Sequence, residues 1–167
     1  MKRSLLILSV LMLGIIVHAQ VTSSASKGYS KYQKQDYGDA FDAYKKALLD
    51  NDYDIVANYG MALLYSNNTF KKEGEKYNYY KAFKYIRIAN TGAQKLNDAE
   101  VVAYDKIIPG FKNQVWQDYN IIEKKLVDSI TVSPTIENAE RFVNEFPESK
   151  FLQDVLRIRN QQEFAKA

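Results

Sequence analysis

A twelve-residue segment of this chain recurs 42 positions further on, and this repeat restricts the possible folds more than any other sequence feature. Residues 36–47 align with residues 78–89. Four residues return unchanged at the later position: Tyr37, Ala40, Phe41 and Ala47. A fixed internal period of this order is typical of folds in which one supersecondary unit stacks on the next. The sequence therefore predicts a stack of similar units.

Small residues upstream show a shorter period. Gly28 and Ala62 are 34 positions apart, and the longer spacing of the later segment indicates an insertion, which we place at residues 66–76. Helices whose axes lie about 8–10 Å apart need small side chains where they cross. An ordinary helical bundle with alanines at its crossings is the alternative, but two units matching in phase favour a repeat.

This pattern resembles the tetratricopeptide repeat family, whose unit is a pair of antiparallel helices. That family has a small residue in the first helix, then Ala, a large apolar or aromatic residue, and Ala in the second. The first unit matches at Gly28, Ala40, Tyr44 and Ala47, and the second at Ala62, Ala82, Ile86 and Ala89. The resemblance implies an all-α fold of antiparallel helix hairpins stacked as a short right-handed solenoid.

The resemblance covers two repeats in residues 27–95 and weakens beyond them. A third unit in register would place Trp116, Asn120 and Glu123 where Ala, an aromatic residue and Ala are required. We therefore assign residues 96–167 to a degenerate helical repeat region.

Apolar residues recur at helical spacing along almost the whole chain, and no segment shows convincing strand alternation. Ser133 before Pro134, and Ser149 after Pro147, mark two expected helix starts. The predicted helices cover residues 24–34, 37–50, 54–66, 76–95, 98–107, 111–130, 134–146 and 149–165.

The first nineteen residues have the order of a secretory signal peptide. A short basic start, residues 1–4, precedes an apolar run, residues 5–17, and small residues occupy the two positions that a signal peptidase recognises. A membrane anchor is the alternative, but spanning a bilayer takes about 20 apolar residues. We predict cleavage after Ala19, so the intact mass of the exported protein should correspond to a chain that begins at Gln20.

The chain that remains begins with a polar lead-in, residues 20–26, and is close to electrically neutral. The signal contains two of the 23 basic residues and none of the 20 acidic ones. A near-neutral chain gives no electrostatic reason to expect nucleic acid as a partner. No transmembrane segment is predicted after cleavage, and the protein is expected to be periplasmic or extracellular.

Cysteine is absent, and His18, inside the signal, is the only histidine. This excludes Ser-His and Cys-His nucleophiles and the usual zinc, haem and iron–sulfur ligation. Carboxylates remain as acid–base candidates, but nothing in the sequence separates Glu100, Glu123 or Glu137 from solvated helix-face charges. We predict no metal, no cofactor and no enzymatic activity.

Tyrosine is the enriched residue type, with thirteen copies. A tyrosine ring combines a large apolar area with a polar tip and is frequent in binding surfaces. The resemblance implies that first helices line a concave groove, which places Tyr29 and Tyr59 one repeat apart on its surface. The insertion reads as an exposed loop. The predicted partner-binding residues are Tyr29, Gln33, Tyr59, Phe70 and Tyr77.

The same family has a clamp for a peptide's terminal carboxylate that needs Lys or Asn where this chain has Ala25, Tyr29 and Gly60. A chaperone-tail receptor is therefore disfavoured. Residues 139–149 are similar to a helix-turn motif of bacterial envelope proteins in this repeat class. The expected function is a non-catalytic scaffold or adaptor that binds a protein or peptide in the envelope. Two alternatives remain open: a glycan-binding or wall-hydrolase module, and the N-terminal module of a larger envelope protein.

Overall fold

A computed structural model describes residues 22–72 and 74–166 of the chain. The predicted signal peptide, residues 1–19, lies outside the described residues. The elements in chain order are α1 (Ser23–Gln33), α2 (Tyr37–Asp50), α3 (Ile55–Ser66), β1 (Lys71–Lys72), β2 (Glu75–Lys76), α4 (Tyr79–Gln94), α5 (Asp98–Asp105), α6 (Phe111–Val132), α7 (Ile136–Glu145) and α8 (Leu152–Phe164). The prediction of a mostly helical protein is confirmed.

Side-chain caps explain where most of these helices begin. Each capping side chain accepts a hydrogen bond from the backbone N–H three residues later, satisfying a donor that the first turn leaves without a partner. The capping residues are Thr22, Asp36, Asp54, Asn78, Asn97 and Thr135. The cap at Thr22 starts α1 at Ser23, one residue before the predicted start at 24, so the helix includes the second half of the polar lead-in at residues 20–26.

The two helix starts expected from the serine–proline pattern are wrong. Thr135 caps α7 in place of Ser133, so that helix begins after Pro134. The Ser149 hydroxyl donates to the buried carboxylate of Glu123 at 2.8 Å, and α8 begins only at Leu152.

The first four helices pack on one another in chain order, α1 on α2, α2 on α3 and α3 on α4. The pair α1 and α2 meets where the ring of Tyr44 lies against Gly28, and α3 then packs on both helices. Glycine is required here, since a Cβ on Gly28 would lie 2.7 Å from Tyr44 Cδ1 and one on Gly60, in α3, would overlap the same ring. Tyr44 is thus held between two backbones that carry no side chain at the point of contact.

The pair α3 and α4 packs most extensively, and α6 covers the other side of α4. Ile55 at the start of α3 meets Gly92 near the end of α4, while the rings of Phe83 and Tyr119 lie 5.4 Å apart between α4 and α6. The structure buries the alanines of the repeat pattern completely: Ala40, Ala47, Ala62, Ala82 and Ala89.

The C-terminal helices α7 and α8 pack on each other and join the core through an aromatic cluster. Phe146 lies 4.7 Å from Phe83 and 5.5 Å from Phe142 between ring centroids, and all three side chains are fully or almost fully buried. The core is therefore continuous from α1 to α7.

The insertion at residues 66–76 differs from the exposed loop that the sequence predicted. Its middle forms a two-stranded antiparallel ribbon in which Lys71 pairs with Lys76, and Gly74 turns the chain with a φ of +86°. Because the second strand ends at Lys76, α4 begins at Tyr79 and not at 76.

Candidate functional site

Tyr29 and Tyr59, two of the predicted binding residues, belong to a group of four tyrosines and one carboxylate that we call the tyrosine cluster: Tyr29, Tyr32, Tyr44, Tyr59 and Asp118. The Tyr59 hydroxyl donates to Asp118 Oδ2 at 2.7 Å, which connects α3 to α6. Phe111 of α6 meets the Tyr59 ring edge-on at 5.7 Å. The cluster therefore joins α1, α2, α3 and α6 from the inside.

Burial controls the electrostatics of this cluster. It raises the pKa of Tyr32 to about 12, with the charges of Tyr37, Asp118 and Tyr29 adding to the effect. Burial also raises the pKa of Tyr59, and the hydrogen bond to Asp118 raises it further. The Tyr44 hydroxyl is buried and finds no hydrogen-bond partner in the described part of the chain. Neutral phenols are therefore stable here, and phenolates are strongly disfavoured.

The expectation that Tyr59 offers its ring to a groove is wrong, because its side chain is only 2% exposed. Tyr29 is half-buried, and a hydrogen bond from Gln33 lowers its pKa against the larger raising effect of burial. Gln33 is exposed at the end of α1. Of the three predicted residues in this region, only Tyr29 and Gln33 are accessible to a partner.

The two predicted residues of the insertion lie elsewhere and in opposite environments. Phe70 is fully buried between Phe41 and Tyr65, so its expected role as an exposed contact is wrong. Tyr77 is 45% exposed and leans on Tyr79 at 6.1 Å. The structure does not bring Phe70 and Tyr77 together with the tyrosine cluster.

The raised tyrosine pKa values give a prediction for alkaline unfolding. Tyr32, Tyr80 and Tyr104 each have a pKa raised by burial to about 12, above the ordinary value of 10.0. Their contribution to stability is complete below pH 10 and is lost as the pH rises through 12. Phenolate absorbance should therefore rise late and together with the loss of helical ellipticity. Complete ionisation of all tyrosines at pH 10 with the helices intact would contradict this.

Glu123 is the one carboxylate among the sequence candidates that the structure buries, with 1% exposure. One of its oxygens accepts from Ser149, and Lys150 Nζ lies 3.6 Å from the other. This arrangement fixes the turn before α8 against α6. Its location and contacts are those of a structural carboxylate.

One cavity among the described residues is lined by none of the predicted binding residues. We call it the α4–α5 cleft: it has a volume of about 870 Å³ and opens between α4, α5 and the link from α2 to α3. Its apolar lining comes from Ile55, Ile88, Gly92, Leu96 and Tyr104. A cavity of this size is within the usual range for ligand sites.

Tyr53 stands at the mouth of the cleft and is 75% exposed. Its backbone N–H donates to Asn51 Oδ1 at 3.0 Å, which holds the short link between α2 and α3 in a turn. An aromatic side chain presented on a fixed turn beside an apolar cavity is a suitable anchor for a partner.

The charged groups around the cleft are carboxylates that accept hydrogen bonds and lysines that are available to a ligand. Both carboxylates serve as helix caps: Asp54 accepts from the Ala57 N–H at 2.8 Å, and Glu100 accepts from the Asn97 N–H at 3.0 Å. The side-chain ammonium groups of Lys84 and Lys95, at the α4 edge, have no hydrogen-bond or ion-pair partner among residues 22–72 and 74–166. The cleft therefore offers two available cations.

Arg87, the third basic residue at this edge, is already engaged. It pairs with Glu148, donates to the Glu145 carbonyl at 3.2 Å, and lies 5.2 Å from the centroid of the Phe146 ring. The pattern of Lys84, Ile88, Gly92 and Lys95 at helical spacing was the signal in the sequence that could have identified this face of α4.

Within the described ranges, no three His, Cys, Asp or Glu side chains are grouped as a metal site would require. None of the helices placed there combines the length and apolar character needed to cross a bilayer. The chain matches no protein-family model, and neither a similar curated protein nor a similar solved structure was found.

Proposed function

We propose that this protein is an exported, non-catalytic helical scaffold or adaptor of a bacterial envelope, which binds a segment of another protein. The observation that carries the proposal is the α4–α5 cleft. An exposed aromatic ring, an apolar floor and two available lysines meet there on three different elements. Central aromatic anchors surrounded by apolar surface are the usual source of binding energy in protein interfaces.

The stacked-repeat architecture is part of the same proposal. The buried alanines at the repeat positions and the packing of α1 on α2 and of α3 on α4 support it. Export rests on the order of basic, apolar and small residues in residues 1–19. An exported scaffold without cysteine would depend on its helical core alone for stability.

The binding surface differs from the one that the sequence pattern favoured. A groove based on Tyr29 and Tyr59 would have only one accessible tyrosine, since the Tyr59 side chain is buried and its hydroxyl donates to Asp118. The α4–α5 cleft retains an accessible aromatic residue in Tyr53 and is open to a peptide backbone. Tyr29, Gln33 and Tyr77 stay predicted secondary contacts.

Site-specific photo-crosslinking in the native host tests this function. A photoreactive phenylalanine analogue in place of Tyr53 should crosslink to a defined protein, identified by mass spectrometry. The same analogue at Lys46, an exposed position of α2 that does not line the cleft, should not yield that adduct. Equal adducts at both positions, or adducts to wall glycan alone, would contradict a protein-binding cleft.

A further inference from the structure

We propose that the α4–α5 cleft selects an extended, acidic and apolar segment of its partner, with two carboxylates four to six residues apart and apolar side chains between them. The inference rests on the proposed function and adds the chemistry of the segment. It follows from three features of the cleft: the distance between its two available lysines, the backbone hydrogen bonds that its carboxylates accept, and its apolar floor.

The two available cations stand at opposite ends of one helix face. Lys84 lies in α4 and Lys95 caps its C-terminal end eleven positions later, which at 1.5 Å per residue separates their Cα atoms by about 16 Å. Side chains on one face of an extended chain are spaced by even numbers of residues, so spacings of four and six residues, about 13 and 20 Å, bracket this distance. One extended segment can therefore meet both lysines at once.

This spacing favours a peptide over an amphiphile with one anionic head. A fatty acid would neutralise one lysine and leave the other without a counter-charge. The carboxylates that line the cleft, Asp54 and Glu100, accept backbone hydrogen bonds at the starts of α3 and α5, and in the described part of the chain neither forms an ion pair with Lys84 or Lys95. Charge complementarity therefore requires two anionic groups from the ligand.

The floor between the lysines is apolar. Ile88 and Gly92 lie between them on α4, and the absence of a side chain at Gly92 lets Ile55 approach the helix. Leu96 and Tyr104 close the floor from the α5 side and are 8% and 2% exposed. Apolar side chains of the segment would pack on this floor, with Tyr53 free to cover them.

Fluorescence anisotropy with capped synthetic peptides carrying a neutral dye tests the inference. The probe is Asp-Thr-Leu-Thr-Leu-Thr-Asp, which places two carboxylates and two leucines on one face of an extended chain. One control peptide replaces both Asp residues with Asn, and a second, Asp-Asp-Leu-Thr-Leu-Thr-Thr, keeps the composition but groups the charges. The full protein should bind the probe saturably and more tightly than either control.

The lysines are tested by a pair of charge-matched variants. Lys84→Gln with Lys95→Gln should weaken probe binding by about fivefold or more, the factor expected of two exposed ion pairs, and should reduce its salt dependence. Lys45→Gln with Lys46→Gln removes the same charge from exposed positions of α2 and should change binding by less than about twofold. Circular dichroism of both variants confirms that each is folded.

Three results would overturn the inference: equal binding of the Asn peptide, unchanged binding by the Lys84/Lys95 variant, or saturable binding of laurate without binding of the probe. If position 53 still crosslinks to a protein, these results remove the acidic preference and leave the proposed function intact. If no peptide binds and position 53 also yields no protein adduct, the proposed function fails as well.

Discussion

Gly60→Ala should destabilise the protein by about 3 kcal/mol, the upper part of the usual range for overpacking a core. A Cβ on Gly60 would overlap the Cζ and both Cε atoms of Tyr44, and the ring has little room to move because Gly28 already packs against its Cδ1 and Cε1 atoms. Neither backbone has a side chain that could rearrange. Urea unfolding followed by helical ellipticity measures the change in free energy.

Gly38→Ala is the matched control, since the new Cβ would lie 3.7 Å from Lys72 Cδ, an ordinary contact. Gly38 is in the first turn of α2, where alanine should be neutral or stabilise by up to about 1 kcal/mol. In a Tyr44→Leu background, Gly60→Ala should cost much less, because the ring that it strikes is gone. Equal stability of Gly60→Ala and Gly38→Ala would contradict the packing of Tyr44 between two glycines.

Phe70→Ala should cost about 3–5 kcal/mol, as large-to-small changes at fully buried aromatic positions do. The Phe70 ring lies 5.6 Å from Phe41 and meets Tyr65 edge-on at 5.7 Å. Removing it leaves a cavity between α2 and α3 and detaches the start of the ribbon at residues 71–76. Thermal unfolding should show the loss directly.

Tyr77→Ala is the control within the same insertion. This side chain is 45% exposed, so its truncation should change the free energy of unfolding by about 0.5 kcal/mol or less. A Phe70→Ala variant that melts like the wild type would contradict the burial of Phe70 and return it to the candidate surface residues.

Helices could be predicted from the sequence because their local signals agree with their packing. The bounds of α2 were predicted as observed, since Asp36 caps it and the buried face repeats at Ala40, Tyr44 and Ala47. The start of α4 was predicted three residues early, because the ribbon ending at Lys76 has no alternation long enough to indicate a strand. Local patterns could not show that the insertion folds back on the core.

The candidate site was much harder to predict, because burial and cavities depend on contacts distant in sequence. Tyr59 and Asp118 are 59 positions apart, and their hydrogen bond converts an expected surface residue into an internal one. Tyr53 was overlooked because it lies in a link outside the repeat pattern. Tyr53 becomes a candidate binding residue only because α4 and α5 form the cleft beside it.

Mapping backbone amide shifts of the ¹⁵N-labelled protein during titration with Asp-Thr-Leu-Thr-Leu-Thr-Asp tests whether the α4–α5 cleft is the binding site. We expect the largest shifts between Lys84 and Lys95, on the start of α5 and on the turn that carries Tyr53. Largest shifts around Tyr29 and Gln33 on α1, with the cleft unaffected, would contradict it.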